Sequence, residues 1–173
     1  MSPPVYRVLN HDLRAGADGI GKHLMAGLRH TEEERPLMIR RWTPAEIGPP
    51  VGQYSHLAAA PTGHEVLFIS GQVGTRPDGV MAGPDAESQT RQIYANIAAL
   101  LKSAGAGPEH LLKLFTMVAG TEHLAGSRAG RAGAFAEWFP DGDFPAHSLI
   151  VVAALAAPEI AVEVEAIAAV PRT

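Results

Sequence analysis

Two positions in the last third of the chain carry side chains that are suited to proton transfer. His147 opens the apolar run FPAHSLIVVAAL (residues 144–155), and Glu163 lies inside the run IAVEVEAIAAV (residues 160–170). Imidazole titrates near neutral pH, and a carboxylate among apolar neighbours has its pKa raised by desolvation. Both properties suit general acids and bases. His147 and Glu163 are therefore candidate catalytic residues, although His147 could instead cap its strand through a backbone carbonyl.

The final apolar run predicts a strand with two carboxylates on one side. Successive side chains of a strand alternate, so Glu163 and Glu165 share a face at a spacing of about 6.5–7 Å, and the opposite face is wholly apolar. We interpret Glu165 as part of a solvated face. Glu163 has two equal interpretations, a solvated side chain or a desolvated group that handles protons.

A third candidate is the segment FISGQVG (residues 68–74), which carries Ser70 and Gly71 at the end of a predicted strand. Glycine lets a ligand approach the backbone closely, and free N–H groups there can bind a substrate oxygen. The alternative is a bulge that ends the strand. Ser70 and Gly71 are therefore candidate substrate-binding residues.

Other patterns that suggest cofactors fail on their spacing. GADGIGKH (residues 16–23) ends in His23, where a phosphate-binding loop needs Ser or Thr, and no buried strand precedes it. His11, His23 and His30 lack the i, i+4 spacing that places two metal ligands on one helical face, and the chain has no cysteine. We therefore predict neither a nucleotide site nor a histidine metal site in these segments.

The elements that must position these residues alternate between strand and helix periodicity. The order ββαβαββ predicts an α+β fold with two helices on one face of a mixed sheet. Its first two strands are predicted to form a hairpin through the turn APTGH. The predicted strands are 54–60, 65–70, 110–119, 146–153 and 160–170, and the predicted helices run from Asp85 to Gly105 and over 124–139.

Charge separates an N-terminal extension (residues 1–45) from the main domain (residues 46–173). Residues 1–41 hold seven basic and five acidic side chains, a net charge of +2, so the remainder of this −4 chain carries −6. The Pro- and Gly-rich segment TPAEIGPPVG follows this shift. Within the extension, apolar residues at helical spacing predict one short helix, formed by Ile20, Leu24, Met25 and Leu28.

Composition excludes several classes of protein. A net charge of −4 argues against a nucleic-acid platform, and no apolar run approaches the roughly 20 residues of a membrane-spanning helix. The N-terminus lacks the pattern of a signal peptide, so we expect a soluble cytoplasmic protein. Only 18% of residues are charged, which favours an oligomer.

Five segments together resemble the reactive intermediate deaminase (Rid/YjgF, endoribonuclease L-PSP-like) family. They match its motifs in the family's order over about residues 47–170. The segments are VGQYSHLA (51–58), FISGQVG (68–74), QTRQIYANIAALLKSAGAG (89–107), FPAHSLIVVAAL (144–155) and VEVEAIA (162–168).

The resemblance implies a chorismate-mutase-like fold and a homotrimer with its clefts between subunits. It implies hydrolysis of 2-enamine and 2-imine acids to ammonia and a 2-keto acid, without a cofactor. Tyr54 would then line the cleft, Ser70 and Gly71 would contact the substrate at its rim, and Glu163 would position or activate water.

The sequence departs from the family where the family's arginine grips the substrate carboxylate. His147 occupies that position, and Gln53 replaces a proline near Tyr54. Loss of one partner of a desolvated charged pair costs roughly 2–5 kcal/mol, so an ordinary imino acid should bind badly unless another guanidinium replaces the missing one. Four arginines could reach the cleft through the fold or from a neighbouring subunit: Arg76, Arg91, Arg128 and Arg131.

Three functions remain open. The first is a Rid-like hydrolase of an imine, enamine or related C–N bond in a substrate without the usual carboxylate, with His147 as hydrogen-bond donor or general acid/base. The second is a catalytically inactive trimer that binds a small metabolite in its inter-subunit cleft. The third is a ribonuclease, which an acidic chain without a basic stripe disfavours.

Overall fold

The computed structural model describes residues 38–172. The predicted short helix at Ile20–Leu28, the phosphate-loop-like segment 16–23 and the three N-terminal histidines lie outside it. The described elements are β1 (Arg40–Trp42), β2 (Leu57–Ala59), β3 (His64–Val73), α1 (Ala86–Ser103), β4 (Leu111–Ala119), α2 (Leu124–Trp138), β5 (Ala146–Val152) and β6 (Val162–Pro171), with short 3-10 turns at Pro108–His110 and Thr121–His123.

The predicted α+β fold is confirmed. Four strands form a mixed sheet in the order β3-β6-β4-β5, in which β4 and β5 run parallel and the other pairs are antiparallel. Both helices pack on one face of this sheet. The core between them is apolar and fully enclosed, and its largest members are Phe135, Ile93, Ile97, Leu101, Leu114, Val118, Val162 and Val164.

Helix α1 begins and ends where its capping residues predict. The carboxylate of Asp85 accepts a hydrogen bond from the backbone N–H of Ser88 at 2.8 Å, which satisfies one of the free donors of the first turn. Gly105 follows the last turn with φ +69°, a conformation that glycine adopts without strain. Of the apolar residues predicted to form one buried face of this helix, Ile93, Ile97 and Leu101 are completely enclosed, whereas Leu100 and Ala104 are exposed.

The predicted hairpin between residues 54–60 and 65–70 is wrong. Strand β2 is shorter than predicted and pairs antiparallel with β1, while β3 pairs with β6. Arg41 fixes β1 in place, because its guanidinium donates to the carbonyl oxygens of Glu109 and Leu111, both at 2.8 Å, and to the carboxylate of Asp143 at 2.7 Å. Because these long-range bonds hold β1 in place, β1 becomes the pairing partner of β2, which local turn signals could not predict.

Strand β3 does not end at Ser70 as predicted. Its pairing with β6 passes from Ile69 opposite Ala166 to Gln72 opposite Val164, so Ser70 and Gly71 together face a single residue of β6. This is a β-bulge, which absorbs one extra residue and lets the ladder resume. The strand therefore continues to Val73.

The sheet face that points away from the helices carries exposed apolar side chains. Phe68 is 75% exposed and Val66 46% exposed on β3, and Ile150 is 44% exposed on β5. Large apolar patches on a protein surface commonly mark contact surfaces. In the described residues, no helix is long and apolar enough to cross a membrane.

Candidate functional site

His147 lies at the start of β5 and points toward the helices. Its register partner on β4 is Leu114, which is buried in the core on that face. The imidazole Nε2 is 2.9 Å from the hydroxyl of Thr116, and Nδ1 is 3.2 Å from a terminal nitrogen of Arg131. Strand β4 and helix α2 therefore hold the ring from two sides.

These two contacts define the tautomer of the His147 ring. A guanidinium can only donate hydrogen bonds, so Nδ1 accepts from Arg131 and Nε2 carries the proton that is donated to Thr116. Burial, reinforced by the positive charges of Arg131 and Lys113, lowers the pKa of His147 to about 4. The ring is thus neutral at pH 7, with a pKa well below the near-neutral value expected from the sequence.

Arg131 places a guanidinium beside the histidine that replaces the family's arginine. Its second terminal nitrogen donates to the side-chain oxygen of Gln53 at 3.3 Å, and its central carbon lies 4.6 Å from the centre of the Phe135 ring. Burial lowers the pKa of this guanidinium, and the charge of Arg128 adds to the effect. No carboxylate in residues 38–172 forms an ion pair with Arg131.

A small hollow of about 10 Å³ lies between the helices and the sheet at this point. Tyr94 of α1 lines the same hollow as Thr116, and burial raises the pKa of its phenol. The side-chain hydroxyl of Thr90 and the Nε of Arg131 are buried, and neither has a hydrogen-bond partner among residues 38–172. The residues that line the hollow are Thr90, Tyr94, Thr116, Ser127, Arg128, Arg131, His147, Leu149 and Val164.

The segment that contains Tyr54 lies beside the start of β5. The backbone N–H of Ser55 donates to the carbonyl of Pro145 at 3.2 Å, and Ser55 forms an isolated parallel bridge with Ala146. The Tyr54 ring packs edge-on against His56 at 5.4 Å. The structure therefore brings the Tyr54 segment and the His147 region together, with Gln53 connecting them through Arg131.

Glu163, Ser70 and Gly71 form a second group on the opposite face of the sheet. Glu163 is paired with Met117 on β4 and with Val73 on β3. A Cβ atom at position 71 would overlap the carboxylate of Glu163, so a larger residue there would displace the end of that side chain. Ser70 is exposed at the same bulge.

One chain does not bring His147 and Glu163 into a common hollow. Their partners on β4, Leu114 and Met117, are three residues apart, and β5 and β6 lie on either side of β4. With about 3.3 Å per residue and about 4.8 Å between strands, their Cα atoms are about 14 Å apart and their side chains point to opposite faces. One substrate could contact both groups only around a sheet edge or between two copies of the chain.

Comparison with known proteins agrees with this fold and these motifs. The model of the family described as Endoribonuclease L-PSP matches residues 45–170. The chain belongs to the Rid/YjgF family. It is 34% identical to a Rid-family protein of Yersinia pestis, YyfB, whose crystal structure superposes with a TM-score of 0.66 over 75% of this chain and 97% of that one.

Two curated relatives, both described as RutC family proteins, are also similar to this chain. A RutC family protein of Synechocystis is 29% identical over 73% of this chain and 93% of its own length. A RutC family protein of Pyrococcus horikoshii is 31% identical over 69% of this chain and 88% of its own length. The likeness therefore spans most of each relative.

Sequence reasoning left the position of Arg131 open and missed Thr116 and Tyr94. Arg131 was one of four possible replacements for the family's arginine. The others lie elsewhere or at the rim: Arg76 donates to the carbonyl of Ala82, Arg91 pairs with Glu87, and Arg128 is exposed. The sequence signal that pointed to a nearby guanidinium was the pair of departures from the family motifs, Gln53 and His147, because both side chains can accept a hydrogen bond from one.

Proposed function

We propose that this protein is a hydrolase that deaminates small imines or enamines. The observation that carries the proposal is the position of the Glu163 carboxylate against the Gly71 bulge, in space that a Cβ atom at position 71 would occupy. Family membership supports the same class of reaction. Glu165, two residues further along β6, lies opposite the bulge and is exposed to solvent.

The chemistry requires a base for water and a donor for the developing oxygen. Glu163 accepts a proton from water as its oxygen attacks the imine carbon, which forms a carbinolamine. Protonated Glu163 gives this proton to the imine nitrogen. The carboxylate then takes the proton of the carbinolamine hydroxyl and passes it to the amino group, so that the C–N bond breaks and ammonia leaves as the carbonyl forms. Because the extra residue of a bulge is left out of the ladder, the proposal assigns the backbone N–H groups of Ser70 and Gly71 as donors to the substrate oxygen.

Within this proposal the site is shared between subunits of a homotrimer. The His147 group and the Glu163 group lie on opposite faces of one sheet, so a cleft between copies is the simplest way for one substrate to meet both. The exposed Phe68 and Val66 on the open sheet face supply an apolar surface for such assembly. The measurement is the mass in solution by light scattering.

His147 is a positioning residue in this proposal and not the general acid/base. Its ring is half-buried, its Nδ1 is occupied by Arg131, and its pKa of about 4 leaves it neutral at the pH of the reaction. Proton transfer therefore depends on Glu163. His147 instead orients the cation next to it.

The test measures ammonia release from imino acids that an amino-acid oxidase generates in the same cuvette. We expect the wild-type protein to accelerate release above the uncatalysed rate. Glu163→Gln keeps the shape but removes the base, so it should lower the rate by roughly a hundredfold or more. Glu165→Gln is the matched control, two residues along the same strand face, and should retain activity.

Two outcomes would contradict the deaminase proposal. Equal activity of the Glu163→Gln and wild-type proteins would remove Glu163 from the reaction. Background release by every variant, together with a rise in melting temperature on addition of 2-keto acids, would instead favour the inactive metabolite-binding protein. The neutral, hydrogen-bonded His147 is compatible with that second function, because it needs only to hold a ligand-binding cation.

A further inference from the structure

We propose that the guanidinium of Arg131, held in place by Gln53 and His147, is the group that binds the carboxylate of a small 2-keto or 2-imino acid in this protein. The ligand class rests on the proposed function. The anion site itself rests on the contacts of Arg131. The proposal reverses the expectation that this cleft takes substrates without a carboxylate.

The first argument is that Arg131 is a partly buried cation without a counter-charge. Among residues 38–172 it forms no ion pair, and both of its hydrogen-bond acceptors, Gln53 and His147, are neutral. Removing a charge from water is unfavourable unless a charge of opposite sign compensates it. A bound anion would provide that compensation.

The second argument concerns the donors that remain free. A guanidinium has five N–H groups, and Arg131 uses one on each terminal nitrogen. Each terminal nitrogen therefore keeps a second N–H. The planar fork of arginine matches the two oxygens of a carboxylate, and the flat face of the group is supported by the Phe135 ring at 4.6 Å.

The third argument is that both departures from the family motifs serve the same cation. An arginine at position 147 would place a second guanidinium against Arg131, whereas the neutral His147 ring accepts its hydrogen bond at 3.2 Å. A proline at position 53 would have no side-chain acceptor, whereas Gln53 supplies one. The guanidinium at this site is therefore supplied by α2, whereas the family pattern places it on β5.

The experiment compares two ligands of nearly equal shape and different charge. Dissociation constants of pyruvate and of its neutral amide, pyruvamide, are measured by calorimetry on the full-length protein. We expect the wild-type protein to prefer pyruvate by at least about 30-fold, the equivalent of roughly 2 kcal/mol for a desolvated charged pair. Arg131→Ala should abolish this preference, and Arg131→Lys should keep only part of it.

Two further variants keep the result interpretable. Arg91→Ala removes one positive charge from an exposed pair on α1 and should leave the preference unchanged. His147→Arg combined with Arg131→Ala returns the guanidinium to the strand and should restore the preference for pyruvate. Melting temperatures and solution masses establish that each variant is folded and assembled.

Specific results would overturn the proposal. It fails if the wild-type protein binds pyruvate and pyruvamide equally, or if Arg131→Ala retains the preference. It also fails if inorganic phosphate binds more tightly than pyruvate at the same arginine, because the site would then serve a different anion.

The outcome for catalysis is separable from the outcome for binding. Arg131-dependent pyruvate binding without ammonia release would contradict the deaminase proposal and support the anion site. Deamination of imino acids with an unchanged KM in Arg131→Ala would support the deaminase proposal and contradict the anion site.

Discussion

Protonation of His147 should make this protein lose stability as the pH falls, and replacement of the ring should remove that loss. The variant is His147→Gln. A glutamine side chain can accept from Arg131 through its oxygen and donate to Thr116 through its nitrogen, as the neutral ring does. Unlike histidine, glutamine does not titrate.

The magnitude follows from the difference in pKa between the unfolded and folded states. An unfolded histidine has a pKa near 6.5, and burial lowers the folded value to about 4. At pH values between these two pKa values, the unfolded chain therefore binds a proton at His147 and the folded protein does not. Above about pH 6.5 the neutral ring contributes about 3 kcal/mol to the free energy of unfolding. This contribution declines as the pH falls and is lost below about pH 4.

The assay is urea unfolding at pH 7.5 and at pH 4.5, at one protein concentration, followed by tryptophan fluorescence. Between these two pH values the wild-type protein should lose about 2.5 kcal/mol more unfolding free energy than His147→Gln does. Carboxylates and the other histidines contribute equally to both proteins, so the comparison isolates one ring. His64→Gln, at the far end of β3, is the control and should follow the wild-type protein.

A parallel pH dependence in His147→Gln and in the wild-type protein would refute the reasoning. It would mean that the folded and unfolded proteins bind a proton at His147 equally well, and hence that the ring is not held neutral between Arg131 and Thr116. The positioning role of His147 would then lose its physical basis.

Glycine positions supply two further predictions, each with a control on the same chain. Gly71→Ala should displace the Glu163 carboxylate and lower ammonia release by roughly a hundredfold, whereas Gly48→Ala, which has no atom within 4 Å of the added carbon, should not change the rate. Gly130→Ala would put a carbon 2.5 Å from a carbonyl oxygen of α1 and should cost about 1–3 kcal/mol of unfolding free energy. Gly133→Ala, one turn further and 3.7 Å from its nearest neighbour, should be neutral or stabilising by up to about 1 kcal/mol. Equal effects within either pair would contradict the packing argument.

Local patterns predicted strands β2 to β6, both helices, the caps of α1 and the two faces of β6, but they did not predict β1 (Arg40–Trp42), which lies in the segment assigned to the N-terminal extension. These features depend on residues that are close together in the chain, so local rules of capping and alternation are sufficient. The alternation of β6 predicted correctly that Val162 and Val164 are buried while Glu163 and Glu165 face the other way. Motif order also predicted the family.

Which distant residues meet depends on the packed fold. The pairing of β2 with β1, the continuation of β3 through its bulge and the contact of Arg131 with His147 each join segments that are 15 or more residues apart. An arginine side chain is long, and its destination depends on how α2 crosses the sheet, which no local pattern encodes. The pKa of His147 is decided in the same way, because burial and neighbouring charge exist only after the helices have packed.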